Sequence, residues 1–370
     1  MHINKIEISH LKMPLLHPFE TSFGRLLEKD FLLIKMFGGD HIGYGESVAL
    51  PNPTYSEETT GTIQYMLDEF LIPSIFSKEI IHPDDVSKVF APIRRNNMAK
   101  AALEGAVWDL YSKQQGISLA KALGGTHTAI DVGVSIGIEK SIDDLLAKVE
   151  RFLAEGYKKI KVKIKPGYDI EPLSRIRQQF GYDIPLMADA NSAYTLEDIQ
   201  QLKTLDSLKL MMIEQPLSYD DIIDHAKLQK QIATPICLDE SIHSVEDARK
   251  AIELGSCKII NIKIGRVGGL TEAKKIHDIC QQHHIPVWCG GMLEAGIGRA
   301  HNIAITSLSN FTIAGDTSAS NRYWQEDIIT PEVELSAPGK INVPNIAGVG
   351  YELNEAVIDK YLLKKKIYEK

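Results

Sequence analysis

Five charged residues stand at nearly constant intervals in this chain: Lys163, Asp189, Glu214, Asp239 and Lys263, separated by 26, 25, 25 and 24 positions. Each closes a short apolar run, namely Lys159 to Lys163, Leu186 to Asp189, Leu210 to Glu214, Ile236 to Asp239 and Ile259 to Lys263. Residues two apart in a strand share a face, so Lys161 accompanies Lys163, Asn191 follows Asp189 and Asn261 accompanies Lys263. Taken singly these are weak signals, because a strand-end aspartate is commonly a cap or turn former and a strand lysine an exposed gatekeeper. The joint pattern is stronger: five charges closing five apolar runs at one period would be costly to bury without a cation and partners. Three carboxylates flanked by two lysines describe a divalent cation site between two proton carriers, and the carboxylates are expected to converge with no lysine or arginine between them.

One strand plus one returning helix takes about that many residues, so the five belong to equivalent places in successive βα units. Chemistry at strand C-termini is what a (β/α)8 barrel offers. Strands four apart lie on opposite sides of a closed eight-stranded barrel, so Lys163 faces Lys263 across the mouth and the carboxylate strands fill the arc between. A substrate carboxylate held at the cation would have its α-carbon between two amines, one on each face. That suits removal of a proton α to a carboxylate, whose dianionic product needs concentrated positive charge. Three oxygen ligands with room for substrate oxygens and water match Mg2+, with Mn2+ as a substitute. A lysine at its reference pKa of ~10.4 is neutral only about once in a thousand molecules near pH 7.5, so burial and neighbouring cations must lower it for it to act as a base.

The elements that must hold these residues are visible from Ile130 to about Asp316 as strict strand and helix alternation, with candidate strands beginning near residues 130, 159, 186, 210, 236, 259, 286 and 311. Ser141, Thr195 and Ser244 each precede an acid by three positions, a shortened capping box. Residues 1–128 form a separate α+β unit. It has strands at Ile3 to Met13, Phe31 to Met36 and His41 to Glu46, then helices at Glu57 to Leu71 and Met98 to Tyr111. Residues 129–320 are the barrel, and residues 321–370, with Pro331, Pro338 and Pro344, return to the first unit.

The bulk numbers fit a soluble cytoplasmic enzyme. At 370 residues, 44% hydrophobic and 24% charged, the chain can bury a barrel core and a second domain. A net charge of -8 without a basic run gives no footprint for nucleic acid. Met1 to Met13 alternates like a strand, unlike a signal peptide's apolar block, and no stretch approaches the ~20 apolar residues of a membrane span. Cys237, Cys257, Cys280 and Cys289 form no C-x-x-C pair, and the histidines show no zinc spacing. The expected partners are a small carboxylate substrate and further copies of the chain in a homo-oligomer.

The segments Lys161-Val162-Lys163, Asp189-Ala190-Asn191, Glu214-Gln215-Pro216, Asp239-Glu240-Ser241 and Asn261-Ile262-Lys263 resemble the enolase superfamily, muconate-lactonizing subgroup, whose sites use lysine or histidine bases with Mg2+. Pro18 to Gly24, Lys100 to Glu104, Lys163 to Gly167, Arg266 to Gly269 and Trp288 to Gly296 are similar to its branch of o-succinylbenzoate synthases and N-succinylamino acid racemases. The resemblance implies a cap, built from the N-terminal segment and C-terminal tail, over the barrel mouth. It also implies Mg2+ on Asp189, Glu214 and Asp239, Lys163 as base, and Lys263 as its partner. Ser135, Gly291, Met292 and Leu293 would line the substrate pocket, joined from cap loops by Phe19, Ser22, Phe23 and Tyr55. Phe23 and Tyr55 read equally well as cap core, and Met292 as packing. Lys161 and Asn191 would face the substrate, with Glu240, Asn261 and Arg266 in support. The implied activity is dehydration of 2-succinyl-6-hydroxy-2,4-cyclohexadiene-1-carboxylate to o-succinylbenzoate in menaquinone biosynthesis. Arg266 resembles the racemising branch, so N-succinylamino acid racemisation is expected beside it. The alternatives are a dedicated N-acylamino acid racemase and an inactive barrel kept as a binding protein. The histidine base of mandelate-racemase-type enzymes is missing from Trp288-Cys289-Gly290-Gly291, and the Asp-x-Asp of dipeptide epimerases from Gly315-Asp316-Thr317-Ser318.

Overall fold

The structure is a computed structural model that describes residues 1–21 and 24–370. Strands β1 (Lys5–Thr21), β2 (Gly24–Gly38) and β3 (His41–Glu46) form an antiparallel meander, longer at its first two strands than the apolar alternation alone suggests. The helix α1 (Asn97–Gln114) lies directly on β3. Gly43 and Gly45 allow this, since a Cβ at either would stand 2.1 Å from the carbonyl oxygens of Ala106 and Ala102. The N-terminus of α1 takes its cap from outside: Asn96, at φ 53°, offers no side chain, and the carboxylate of Glu58 accepts the N–H groups of Met98 (2.7 Å) and Ala99 (3.0 Å). With Glu58 so used, the helix expected from Glu57 starts instead at Thr60, after a reciprocal Thr59–Thr62 cap.

The second layer is a curled parallel sheet. Its strands are β4 (Val134–Ile136), β5 (Ile160–Lys163), β6 (Leu186–Asp189), β7 (Ile213–Glu214), β8 (Ile236–Leu238), β9 (Ile259–Ile262) and β10 (Val287–Cys289), hydrogen-bonded in sequence order. Every residue of these strands is buried, as expected of a parallel sheet covered on both faces. Helices return between them, and Ser141 and Ser244 accept the N–H groups of Asp144 and Asp247 as caps. Two strand positions differ from the sequence expectation. The run at residue 130 is divided: Ala129–Asp131 pairs antiparallel with Lys340–Asn342, and the barrel strand begins only after Gly133, where a Cβ would meet that of Lys159 at 2.7 Å. Residues 311–315, interrupted by Gly315, make isolated bridges in place of a ladder. Phe311 bridges Val287, Gly315 bridges Val132, and the Gly133 N–H reaches the Gly315 carbonyl at 2.6 Å, so the segment connects the sheet's two edges.

The chain ends in β11 (Leu362–Glu369), which pairs antiparallel with β1. One apolar cluster runs from Leu11, Phe31 and Leu33 of the meander into the shell between barrel and helices. A separate small cluster of Met187, Met212, Cys237, Ile259 and Trp288 fills the barrel interior.

Candidate active site

Register sets the first feature of the site. Lys163 pairs Asp189, and Asp189 pairs Glu214, so the ends of β5, β6 and β7 stand side by side. Lys159, directly before β5, alternates with Lys161 and Lys163 of that strand on one face, and all three are buried. Lys163 and Lys263, the latter directly after β9, border one chamber of about 60 Å3. Phe19, Leu26, Leu50 and Tyr55 close it from the cap, and Gly291, Met292 and Leu293 from the loop after β10. Tyr55 does not behave as plain cap core. Its hydroxyl accepts from Lys263 Nζ (2.7 Å) and Arg266 (3.2 Å) and donates to Asp239 Oδ2 (3.4 Å). Met292 packs into the cap cluster and also borders the chamber. Ser135 is buried beside Lys161 but is not among the described residues that border the chamber. Ser22 and Phe23 lie outside the described residues.

The carboxylates are not free of lysine and arginine, contrary to the sequence expectation. Lys161 Nζ stands 3.3 Å from Asp189 and 3.2 Å from Glu214, Lys163 Nζ 2.6 Å from Asp189, and Lys263 Nζ 2.8 Å from Asp239, which also pairs with Arg266. Buried charges require such partners. Burial works against ionisation of Asp189 and Asp239, but Lys163 with Lys161, and Arg266 with Lys263, outweigh it and hold both below the usual carboxylate range. Glu214 goes the other way. Burial, then the neighbouring Asp189, pushes it well above that range. Burial also opposes the ammonium of Lys263, yet Asp239 and Tyr55 hold its pKa above the ordinary lysine value.

The second layer orients these groups. Asn191, in the left-handed region at φ 41°, accepts from Lys163 Nζ (2.7 Å) and donates to Glu240 Oε1 (2.9 Å). Burial, then Asp239, pushes Glu240 up to about 7. Asn261 donates to Glu214 Oε1 at 2.6 Å. Asp316, which the sequence pattern does not mark as a site residue, places its Oδ2 2.5 Å from Lys161 Nζ and its Oδ1 3.0 Å from Lys159 Nζ. The Lys159-x-Lys161-x-Lys163 alternation was the available signal, since three ammoniums on one inward face need more anion than the site carboxylates supply.

Three buried carboxylates on adjacent strands form a hard oxygen donor set, and a divalent cation would offset the burial and the Asp189 repulsion that raise Glu214. By donor chemistry the residues fit such an ion. Among the described residues, no three histidine, cysteine, aspartate or glutamate side chains are grouped to hold one as they stand. The carboxylates would therefore have to turn from their lysine partners.

Two family models match the chain. Residues 5–124 match the mandelate racemase / muconate lactonizing enzyme N-terminal domain, and residues 144–357 the enolase C-terminal domain-like family. The chain is 57% identical to an o-succinylbenzoate synthase of Geobacillus kaustophilus, over 100% of this chain and 98% of that one. It is 46% identical to an N-succinylamino acid racemase of Thermus thermophilus, over 98% of each. A crystal structure of an enolase superfamily member from Listeria innocua superposes with a TM-score of 0.96 at 45% identity, covering 100% of both chains.

Proposed function

We propose, from the premise that the chain belongs to the mandelate racemase / muconate lactonizing enzyme family, that it is an o-succinylbenzoate synthase that also racemises N-succinylamino acids. One observation carries the reading: two buried lysines, Lys163 and Lys263, border a single chamber with three carboxylates beside it. The relatives named for each activity cover the chain nearly end to end. In the dehydration, Lys163 takes the proton α to the carboxylate of 2-succinyl-6-hydroxy-2,4-cyclohexadiene-1-carboxylate. The electron pair left on carbon becomes the new ring double bond as the C–O bond breaks, and the Lys163 ammonium returns its proton to the departing hydroxide. Water leaves and the ring becomes aromatic. Asn191 holds the Lys163 amine in place for both transfers once Asp189 turns to the cation. Lys263 stays cationic beside Asp239 and Tyr55 and stabilises the developing negative charge. In racemisation the two lysines exchange the roles of acid and base from opposite faces, which requires Asp239 to turn from Lys263 to the cation so that this amine can give up its proton.

A divalent cation, with Mg2+ the best match to three carboxylate oxygens, would be held by Asp189, Glu214 and Asp239 and would supply positive charge to the substrate carboxylate. Lys161 faces the same carboxylate end, fixed by Asp316. Phe19 and Tyr55 border the chamber from the cap, so cap and barrel together shape the space that receives the substrate.

The dedicated racemase is the second reading, favoured by Arg266 in contact with both Tyr55 and Asp239 next to Lys263. Steady-state assay with both substrates tests the proposal: o-succinylbenzoate should form at a kcat/KM at least equal to that for N-succinylamino acids. Racemisation without detectable dehydration would establish the second reading.

A further inference from the structure

Lys29 lies on β2 in the cap and touches neither catalytic lysine, yet it is only 1% exposed, a rare state for lysine. Its Nζ donates to two carbonyls, those of Val48 at 2.8 Å and Met292 at 2.9 Å. Met292 is the middle residue of the loop that walls the chamber after β10. Glu294 takes the Met292 N–H at 2.9 Å, so both polar groups of that residue's backbone are held by charged side chains. Glu46, at the end of β3, accepts the N–H groups of Ala295 (2.8 Å) and Gly298 (2.7 Å). Burial lowers the Lys29 amine to about 8 and raises Glu46 to about 8, so the cluster is expensive to keep and its hydrogen bonds carry the compensation. Leu293, next in the loop, sits at φ 57°, a left-handed conformation a leucine holds only where its surroundings impose it.

We infer that Lys29 is a positioning residue: by anchoring the Met292 carbonyl to the cap, it fixes the Gly291–Leu293 wall and so sets which substrate the chamber accepts. The inference rests on the proposed function only in taking that chamber as the substrate site. Without the ammonium the wall relaxes, and binding suffers more than proton transfer, because Lys163 and Lys263 have their own partners.

The test has two readouts. In Lys29→Met, amide hydrogen exchange across residues 290–298 should rise while β5 to β9 stay protected, whatever the substrate is. With a turned-over substrate, KM should rise ~10-fold or more, the scale of one charge-assisted hydrogen bond, with kcat within ~3-fold. The increase should differ between the synthase substrate and an N-succinylamino acid, and Lys29→Arg should restore part of it. Should Lys29→Met fail to fold, Lys29→Met with Glu294→Gln removes the stranded anion and keeps an acceptor for the Met292 N–H. Unchanged exchange across 290–298, or kcat falling equally on both substrates at constant KM, overturns the inference. An intact enzyme that turns over neither substrate overturns the proposed function and leaves the exchange readout to decide on Lys29.

Discussion

The sharpest test of the site separates Lys163 from Lys263, because only opposed placement lets one chamber serve a racemase and a synthase. Consider Lys163→Met and Lys263→Met, each close to isosteric. Neither strands its carboxylate: Asp189 keeps Lys161 at 3.3 Å, and Asp239 keeps Arg266 and the Tyr55 hydroxyl. The stability loss should fall below the ~3–5 kcal/mol typical of an orphaned buried charge, so both variants fold. Chemistry is affected differently. In D2O the intact enzyme should exchange the α-proton of both enantiomers of an N-succinylamino acid, followed by proton NMR. Lys163→Met should abolish dehydration and exchange from one enantiomer, and Lys263→Met exchange from the other. Lys263→Met should keep a residue of dehydration, lowered by the loss of one preorganised cation, ~3–4 kcal/mol or about a hundredfold to a thousandfold in kcat. If either single variant exchanged both enantiomers at the intact enzyme's rate, the two-face mechanism would be wrong.

Removing divalent cations with a chelator should abolish turnover and Mg2+ or Mn2+ restore it, and Asp239→Asn should weaken Mn2+ binding measured by calorimetry while the circular dichroism spectrum is kept; full activity after thorough stripping would remove the metal from the reading. Phe19→Ala, which opens the cap side of the chamber where Phe19 meets Tyr323 edge-on, should raise KM more than it lowers the melting temperature; a large thermal shift with unchanged kinetics would make Phe19 a packing residue. Gly290→Ala places a methyl 2.4 Å from Asn261 Oδ1 and should displace the amide that holds Glu214, cutting kcat while expression stays normal. His301 is buried against Gly105, and burial, then Lys113, lowers it to about 4. Its neutral form is the folded one, so this contribution is complete above pH ~6.5 and lost as pH falls towards 4, up to ~3 kcal/mol, and His301→Gln should flatten that part of the urea-denaturation profile.

What the sequence carries and what it hides divide along a physical line. The period of Lys163, Asp189, Glu214, Asp239 and Lys263 is a property of the backbone repeat, and a repeat that buries its strands writes itself into apolar spacing. The barrel and the side-by-side carboxylates therefore follow from residues close together in the chain. Partner choice does not. Asp316 reaches Lys161 because the segment at 311–315 bridges to the chain beside β4, bringing the chain that follows next to β5, and no local pattern at Gly315-Asp316-Thr317 announces it. Lys29 belongs to the same class: it precedes the strand expected at Phe31 to Met36, and its carbonyl partners, Val48 and Met292, come from distant parts of the chain. The division at Gly133 is hidden for a similar reason, since a glycine within a strand pattern gives no hint that Lys159 will occupy the space of its missing side chain. Charges at strand ends thus mark where the chemistry sits. The bonds that decide which of those charges are already compensated come from closure of the barrel and docking of the cap, and a one-dimensional pattern holds neither.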